Sequence, residues 1–316
     1  MQNLPNRSVS GVNRRRFFCQ SVAVSGAGLL AGCSKEEEVL LAWSERKQPV
    51  ESSSSQAVGD MPCGTLGKHA VSRIICGGNL FSGFAHSRDL IYVSSLMKQY
   101  FTPEKIMDTL EQCECCGINA AILRCDEHIV GVLDRYRKER GGKILWIAQT
   151  YPTVAKPTEN IQLAIDHGAV GAFMQGANGD QLIQEGHMDV MAQVLAFMRQ
   201  NGLAAGVGSH SLDTPRAVEK EKLEFDFYFK TFNAVEYHSQ KPAEIADFMK
   251  SVSKPWIAFK VLGAGVVAPK DGFRLAFSSG ADFLNVGMFD FQVADNAKLA
   301  NSLLAGDLSR QRPWCS

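Results

Sequence analysis

Two lysines stand where lysine is hard to explain as ordinary surface. Lys230 lies in Phe225-Asp226-Phe227-Tyr228-Phe229-Lys230-Thr231-Phe232, and Lys260 in Trp256-Ile257-Ala258-Phe259-Lys260-Val261. Both runs have the short apolar and aromatic character of buried strands. Alternation sets Phe225, Phe227 and Phe229 against Asp226, Tyr228 and Lys230; it sets Ile257, Phe259 and Val261 against Trp256, Ala258 and Lys260. With the phenylalanines turned toward covering helices, both lysines are predicted to point inward. Adjacent strands lie roughly 5 Å apart, and two buried ammonium groups so placed lose proton affinity by desolvation and mutual repulsion. A neutral amine attacks carbonyl carbon, the opening step of Schiff-base chemistry. The same lysines could instead be structural ion-pair partners of Asp226, Asp126 or Asp290, or bind anions.

Groups that could assist close the other apolar runs. The small-residue face Ala204, Gly206, Gly208 ends on His210, and Arg124 ends the run from Asn119, with Asp126 just beyond. His210 and Asp126 are candidate proton carriers, and the Arg124 fork suits an anionic or hydroxyl-rich substrate. Asn79, Gln149, Gln175 and Asn285 close further runs and are candidate substrate contacts. Asp126, Glu127, His128, His187, His210 and His238 are scattered without the HxH or HExxH spacing of a metal site, so no metal is expected. Cys113-Glu114-Cys115-Cys116 has no second pair to complete it and falls in a helical stretch, where free cysteines act as small buried apolar residues.

The elements that must position these groups repeat in strict order. Strands are predicted over 71–79, 119–124, 143–149, 169–175, 203–210, 225–232, 256–262 and 282–288. Helices are predicted over 103–116, 127–140, 158–167, 181–200, 214–223, 242–252, 270–279 and 292–304. Gly117, Gly141, Gly168, Gly202 and Gly280 fall just past helices, and Pro103 and Pro242 fall at first turns. Eight strand–helix pairs define an α/β protein, a single-domain (β/α)8 TIM barrel over 61–316, with a doubly wound open sheet as the alternative. In such a barrel the strand ends carry the chemistry.

The first 60 residues read differently. Arg14-Arg15-Arg16-Phe17-Phe18 precedes an uncharged stretch rich in small residues, too short to span a bilayer. The arginines resemble a twin-arginine export signal, and Leu30-Ala31-Gly32-Cys33 resembles a lipobox in which Cys33 receives a lipid. Residues 1–33 are therefore expected to be a signal. Residues 34–60, charged and then Ser-rich, are expected to form a tether that holds the barrel at the periplasmic face of a membrane. The whole chain has 33 basic and 33 acidic side chains; without the four arginines of the signal it is mildly acidic, which argues against nucleic acid as a partner. The expected partners are a small-molecule substrate and, through Cys33, a membrane.

Two family resemblances follow from longer motifs. Leu66-Gly67 through Ile74, Gly117-Ile118-Asn119, Leu203 to Asp213 and Lys254 to Gly263 resemble the aldo/keto reductase superfamily, which implies the same barrel and an NADP-linked oxidoreductase. Under that resemblance Lys270 and Arg274 fall where the cofactor phosphate is held. The family's catalytic residues, however, fall on Ile122, Glu127, Gln149 and Gln175, none of which is the usual group. Phe229-Lys230-Thr231, Phe259-Lys260 through Gly263 and Ser279-Gly280-Ala281-Asp282 are similar to class I aldolases of the deoxyribose-phosphate type, which implies a Schiff-base lysine at Lys230 and a second lysine at Lys260. The expectation is an exported enzyme acting on a small polar carbonyl or sugar-derived compound. The alternatives are a reductase, a Schiff-base lyase and a non-catalytic binding lipoprotein; the cofactor stays open.

Overall fold

The computed structural model describes residues 61–84 and 90–316. The expected signal, Cys33 and the tether lie outside the described residues. Strands β3 (Ile74–Gly77), β4 (Ala120–Arg124), β5 (Leu145–Thr150), β6 (Gly171–Met174), β7 (Ala204–Ser209), β8 (Phe227–Thr231), β9 (Trp256–Phe259) and β10 (Phe283–Gly287) close a barrel in which every neighbouring pair is parallel. Before it stands an antiparallel hairpin, β1 (Cys63–Leu66) and β2 (His69–Ser72). Leu66 and Val71 of the hairpin pack with the barrel's interior residues and plug its N-terminal end.

The helices are α1 (Val93–Tyr100), α2 (Pro103–Cys115), α3 (Glu127–Arg140), α4 (Glu159–Asp166), α5 (Gly176–Gln184), α6 (Met188–Gln200), α7 (Asp213–Lys220), α8 (Pro242–Lys250), α9 (Pro269–Ser278) and α10 (Asp290–Ala305). Their apolar faces pack on outward strand residues such as Trp146, Val207, Tyr228 and Trp256. Helix α1 was not anticipated. The single helix expected over 181–200 is two, because Gly186, with φ +82°, takes a left-handed turn that ends one and begins the next.

The facing of two strands reverses the sequence expectation. Phe227 and Phe229 fill the barrel interior with Ile147, Phe173, Ile257 and Phe259, whereas Tyr228 and Ala258 pack outward. Lys230, one residue on from Phe229, therefore belongs to the outward face. The reason lies on the neighbouring strand. Gly206 of β7 leaves space that a ring occupies: a Cβ there would run into the Phe227 ring and sit 2.7 Å from Phe173 Cβ. Replacing Gly206 by alanine is expected to cost about 1–3 kcal/mol, because this interior is already close-packed. Urea unfolding checks it, and a loss below about 0.5 kcal/mol, the range of neutral surface changes, would mean the rings can move aside.

Candidate active site

The interior layers end in a polar ring at the C-terminal mouth. Arg124 and Gln149 are the last inward residues of β4 and β5, Asn285 faces inward from β10, Gln175 and His210 follow β6 and β7 directly, and Asn79 stands two residues past β3. Lys260 follows β9. All seven line one lobe of the mouth, a cavity of about 520 Å³ floored by Phe229 and Phe259. Those two rings stack 4.0 Å apart. A second lobe of about 410 Å³ shares Asn79, Gln149, Lys260 and Asn285 and extends between the loop after β9 and the start of α10.

Lys260 reaches the mouth by a route that alternation did not suggest. Strand pairing ends at Phe259, and Lys260 itself has φ +57°, which swings its side chain off the outward face. A non-glycine residue pays for that left-handed conformation, so it marks a place where the amine's position is imposed by its surroundings. The half-buried amine lies 5.4 Å from the centre of the Tyr237 ring. Burial pushes it down to about 8, so about a tenth is neutral at pH 7, far more than for an ordinary lysine.

Lys230 is a different group. It is fully buried, and its Nζ donates to the His210 carbonyl at 2.6 Å, Thr231 Oγ1 at 3.0 Å and Gln240 Oε1 at 3.3 Å. Burial pushes this amine down to about 7, with Asp180 pulling the other way. It lines neither lobe of the mouth. The inward pair expected from strand parity is thus corrected on two points. Lys230 turns its amine to the back of the His210 strand end, and burial, rather than repulsion between the two lysines, lowers both groups.

The remaining expected residues divide. His210 is set by Asp180 of α5, which accepts from the His210 backbone N–H at 2.7 Å and lies 3.5 Å from its Nδ1. Burial works to raise the Asp180 carboxyl, but hydrogen bonds from His210, Thr214 and Ser211 hold it below the usual carboxylate range. Asp126 stands beside the mouth rather than in it. Its Oδ1 caps α3 at the Ile129 N–H and its Oδ2 accepts from Arg124 Nε, both at 3.0 Å. Lys270 and Arg274 are exposed on the first turns of α9 and line neither lobe.

Sequence reading missed Tyr151, Asp180 and His238. Tyr151 follows Gln149 by two residues on the same alternating face; extending that strand by one turn of the pleat would have found it. Its hydroxyl accepts from Arg124 Nη1 at 2.7 Å and from Gln149 Nε2. Burial raises the Tyr151 phenol, so it is a hydrogen-bond group rather than a ready acid. His238, in the loop after β8, is held below the usual imidazole value, chiefly by partial burial and then by Lys260, which keeps the ring in its neutral form. No three His, Cys, Asp or Glu among the described residues are grouped to hold a metal ion.

No family model matches this chain, and no curated protein matches it. Solved structures do resemble it in fold. An aldo-keto reductase from Bacillus halodurans in its holo form is 11% identical with a TM-score of 0.58, covering 79% of this chain and 94% of its own. A glycerol dehydrogenase from Gluconobacter oxydans is 10% identical with a TM-score of 0.55, covering 82% of this chain and 98% of its own. At such identity the likeness establishes the (β/α)8 architecture.

Proposed function

We propose that this chain is an enzyme acting on a small polar carbonyl or sugar-derived compound bound in the barrel mouth, with Lys260 as the reacting amine. The observation that carries the reading is the placement of Lys260: a partly neutral amine, fixed by a left-handed backbone, facing both lobes over an aromatic floor. Its nitrogen lone pair adds to the carbonyl carbon, forming a C–N bond and moving the carbonyl electrons to oxygen. Proton transfers then expel that oxygen as water and leave an imine. Protonated, the imine draws electrons from the adjacent carbon and eases bond cleavage or proton loss there. His238 and His210 are the nearby groups able to carry protons. Asn79, Gln149, Gln175 and Asn285 are the polar side chains that meet hydroxyl groups.

A nicotinamide reductase is the second reading, supported by the fold likeness and by the narrower lobe, with Lys270 and Arg274 as the residues that would hold a cofactor phosphate. The residues present do not fit its proton-transfer chemistry: Ile122, Gln149 and Gln175 stand in or directly after the second, third and fourth barrel strands, and the Tyr151 phenol is raised. Export by the twin-arginine route and a lipid on Cys33 belong to the same proposal and rest on the arginine pair and on Leu30-Ala31-Gly32-Cys33.

Incubation with keto sugars followed by borohydride tests the lysine reading. Hydride reduction of the imine carbon leaves a stable secondary amine, readable as a mass increase on one peptide. The adduct is expected on Lys260, absent in Lys260→Met, with Lys230 unmodified. No adduct, or an adduct on Lys230 alone, would remove Lys260 from the mechanism.

A further inference from the structure

The side of the mouth formed by β4 and β5 contains a cation whose surroundings are built to hold it flat and leave one edge open. The Arg124 guanidinium lies 4.4 Å from the Phe84 ring centre and 4.5 Å from that of Tyr151. Asp126 takes its Nε at 3.0 Å, and the Tyr151 hydroxyl takes its Nη1 at 2.7 Å. Nη2 makes no hydrogen bond to a described residue. Tyr151 is held in turn: its backbone N–H donates to Asn160 Oδ1 at 2.9 Å, while Asn160 Nδ2 donates to the Cys125 carbonyl at 2.8 Å. The ring and the guanidinium are therefore fixed before any ligand arrives.

Hydrogen-bond accounting then points the free donors outward. A phenol oxygen has two lone pairs, and here Arg124 and Gln149 donate to it. Its own proton must go elsewhere, and no described residue accepts it. The Nη2 protons and the Tyr151 O–H are thus two unspent donors beside one another, on residues that both line the larger lobe. The nearby acids are already engaged: Asp126 by Arg124 and the α3 cap, Asp180 by the His210 and Ser211 amides and the Thr214 hydroxyl. Lys260 stands on the same lobe.

We infer that Arg124 and Tyr151 form a carboxylate subsite, and that the compound bound in the mouth is a hydroxylated oxo acid, such as a sugar acid with a free carbonyl. This deepens the functional reading above and rests on the mouth being the substrate site. A planar pair of donors, one from a guanidinium and one from a phenol, matches the two oxygens of a carboxylate. A phosphate group presents more oxygens than this pair can serve.

Calorimetric titration at neutral pH with D-glucuronate, D-glucose and glucose 6-phosphate tests it on the full-length protein. D-glucuronate is expected to bind at least about tenfold more tightly than glucose, the scale of a charge-assisted hydrogen bond. Arg124→Gln should erase that preference and Tyr151→Phe should reduce it, with circular dichroism showing both folded. Equal affinity for acid and neutral sugar, a preference that survives Arg124→Gln, tighter binding of the phosphate ester, or no binding of the acid would each overturn the carboxylate subsite. The lysine reading is scored separately by borohydride. An adduct on Lys260 without acid preference leaves that reading and removes this one; acid preference without an adduct does the reverse.

Discussion

Replacing Asp282 by alanine is expected to destabilise the protein by about 3–5 kcal/mol, the range for removing one partner of a buried ion pair. Asp282, just before β10, is completely buried at the end of the barrel opposite the mouth. Its Oδ2 accepts from the Trp256 N–H and from Arg312 Nη1, each at 2.9 Å, and its Oδ1 accepts from the Cys315 N–H at 2.8 Å. Arg310 lies 3.9 Å away, and Arg73 donates to the Asp282 carbonyl at 3.1 Å. Three cations thus surround one carboxylate. Alanine would leave Arg312, itself buried, without its counter-charge and two backbone N–H groups without an acceptor. A fall in Tm of about 6–20 °C corresponds to that loss for a domain of this size. A change under about 1 kcal/mol in chemical denaturation would mean that water reaches the site and that the tail after α10 does not seal the barrel.

The second large effect is a pH dependence. The Lys230 amine sits near 7 in the folded protein against an ordinary value of 10.5. Between those two pH values the unfolded chain binds more protons at this group than the folded one does, so stability rises with pH across that window. Below about 7 both states carry the proton, and the folded protein bears the full cost of a buried ammonium. Lys230→Met removes the titration while keeping most of the apolar stem. Comparing the two proteins from pH 6 to pH 10, wild type should gain on the variant by up to about 4 kcal/mol between pH 7 and pH 10. A stability difference constant over that range would show that Lys230 titrates as an ordinary exposed amine.

Much of the architecture was legible because a barrel of this kind is written in hydrophobic periodicity. The eight apolar runs, the glycines past the helices and the prolines at first turns all fall where the elements begin and end. The ring of Asn79, Arg124, Gln149, Gln175, His210 and Asn285 was legible for a related reason: a polar residue closing an apolar strand has only the mouth to face. The facing of β8 and β9 was not legible. Both sides of those strands are apolar, and the room that lets Phe227, and with it Phe229, face inward is left by Gly206 on another strand. Lys260 came out at the mouth through a left-handed residue that no local pattern announced. Asp180 and His238 come from a helix and a loop, and are brought to His210 by packing that sequence spacing does not encode.

The most direct measurement is the titration of the Lys260 amine itself. Competitive acylation with a trace amine reagent across pH 6 to 11, read peptide by peptide, reports the neutral fraction of each lysine. The half-point for Lys260 is expected near 8, with labelling slowed by D-glucuronate held in the mouth. A half-point near 10.5, the ordinary value for lysine, with no protection by the ligand, would contradict Lys260 as the reacting group.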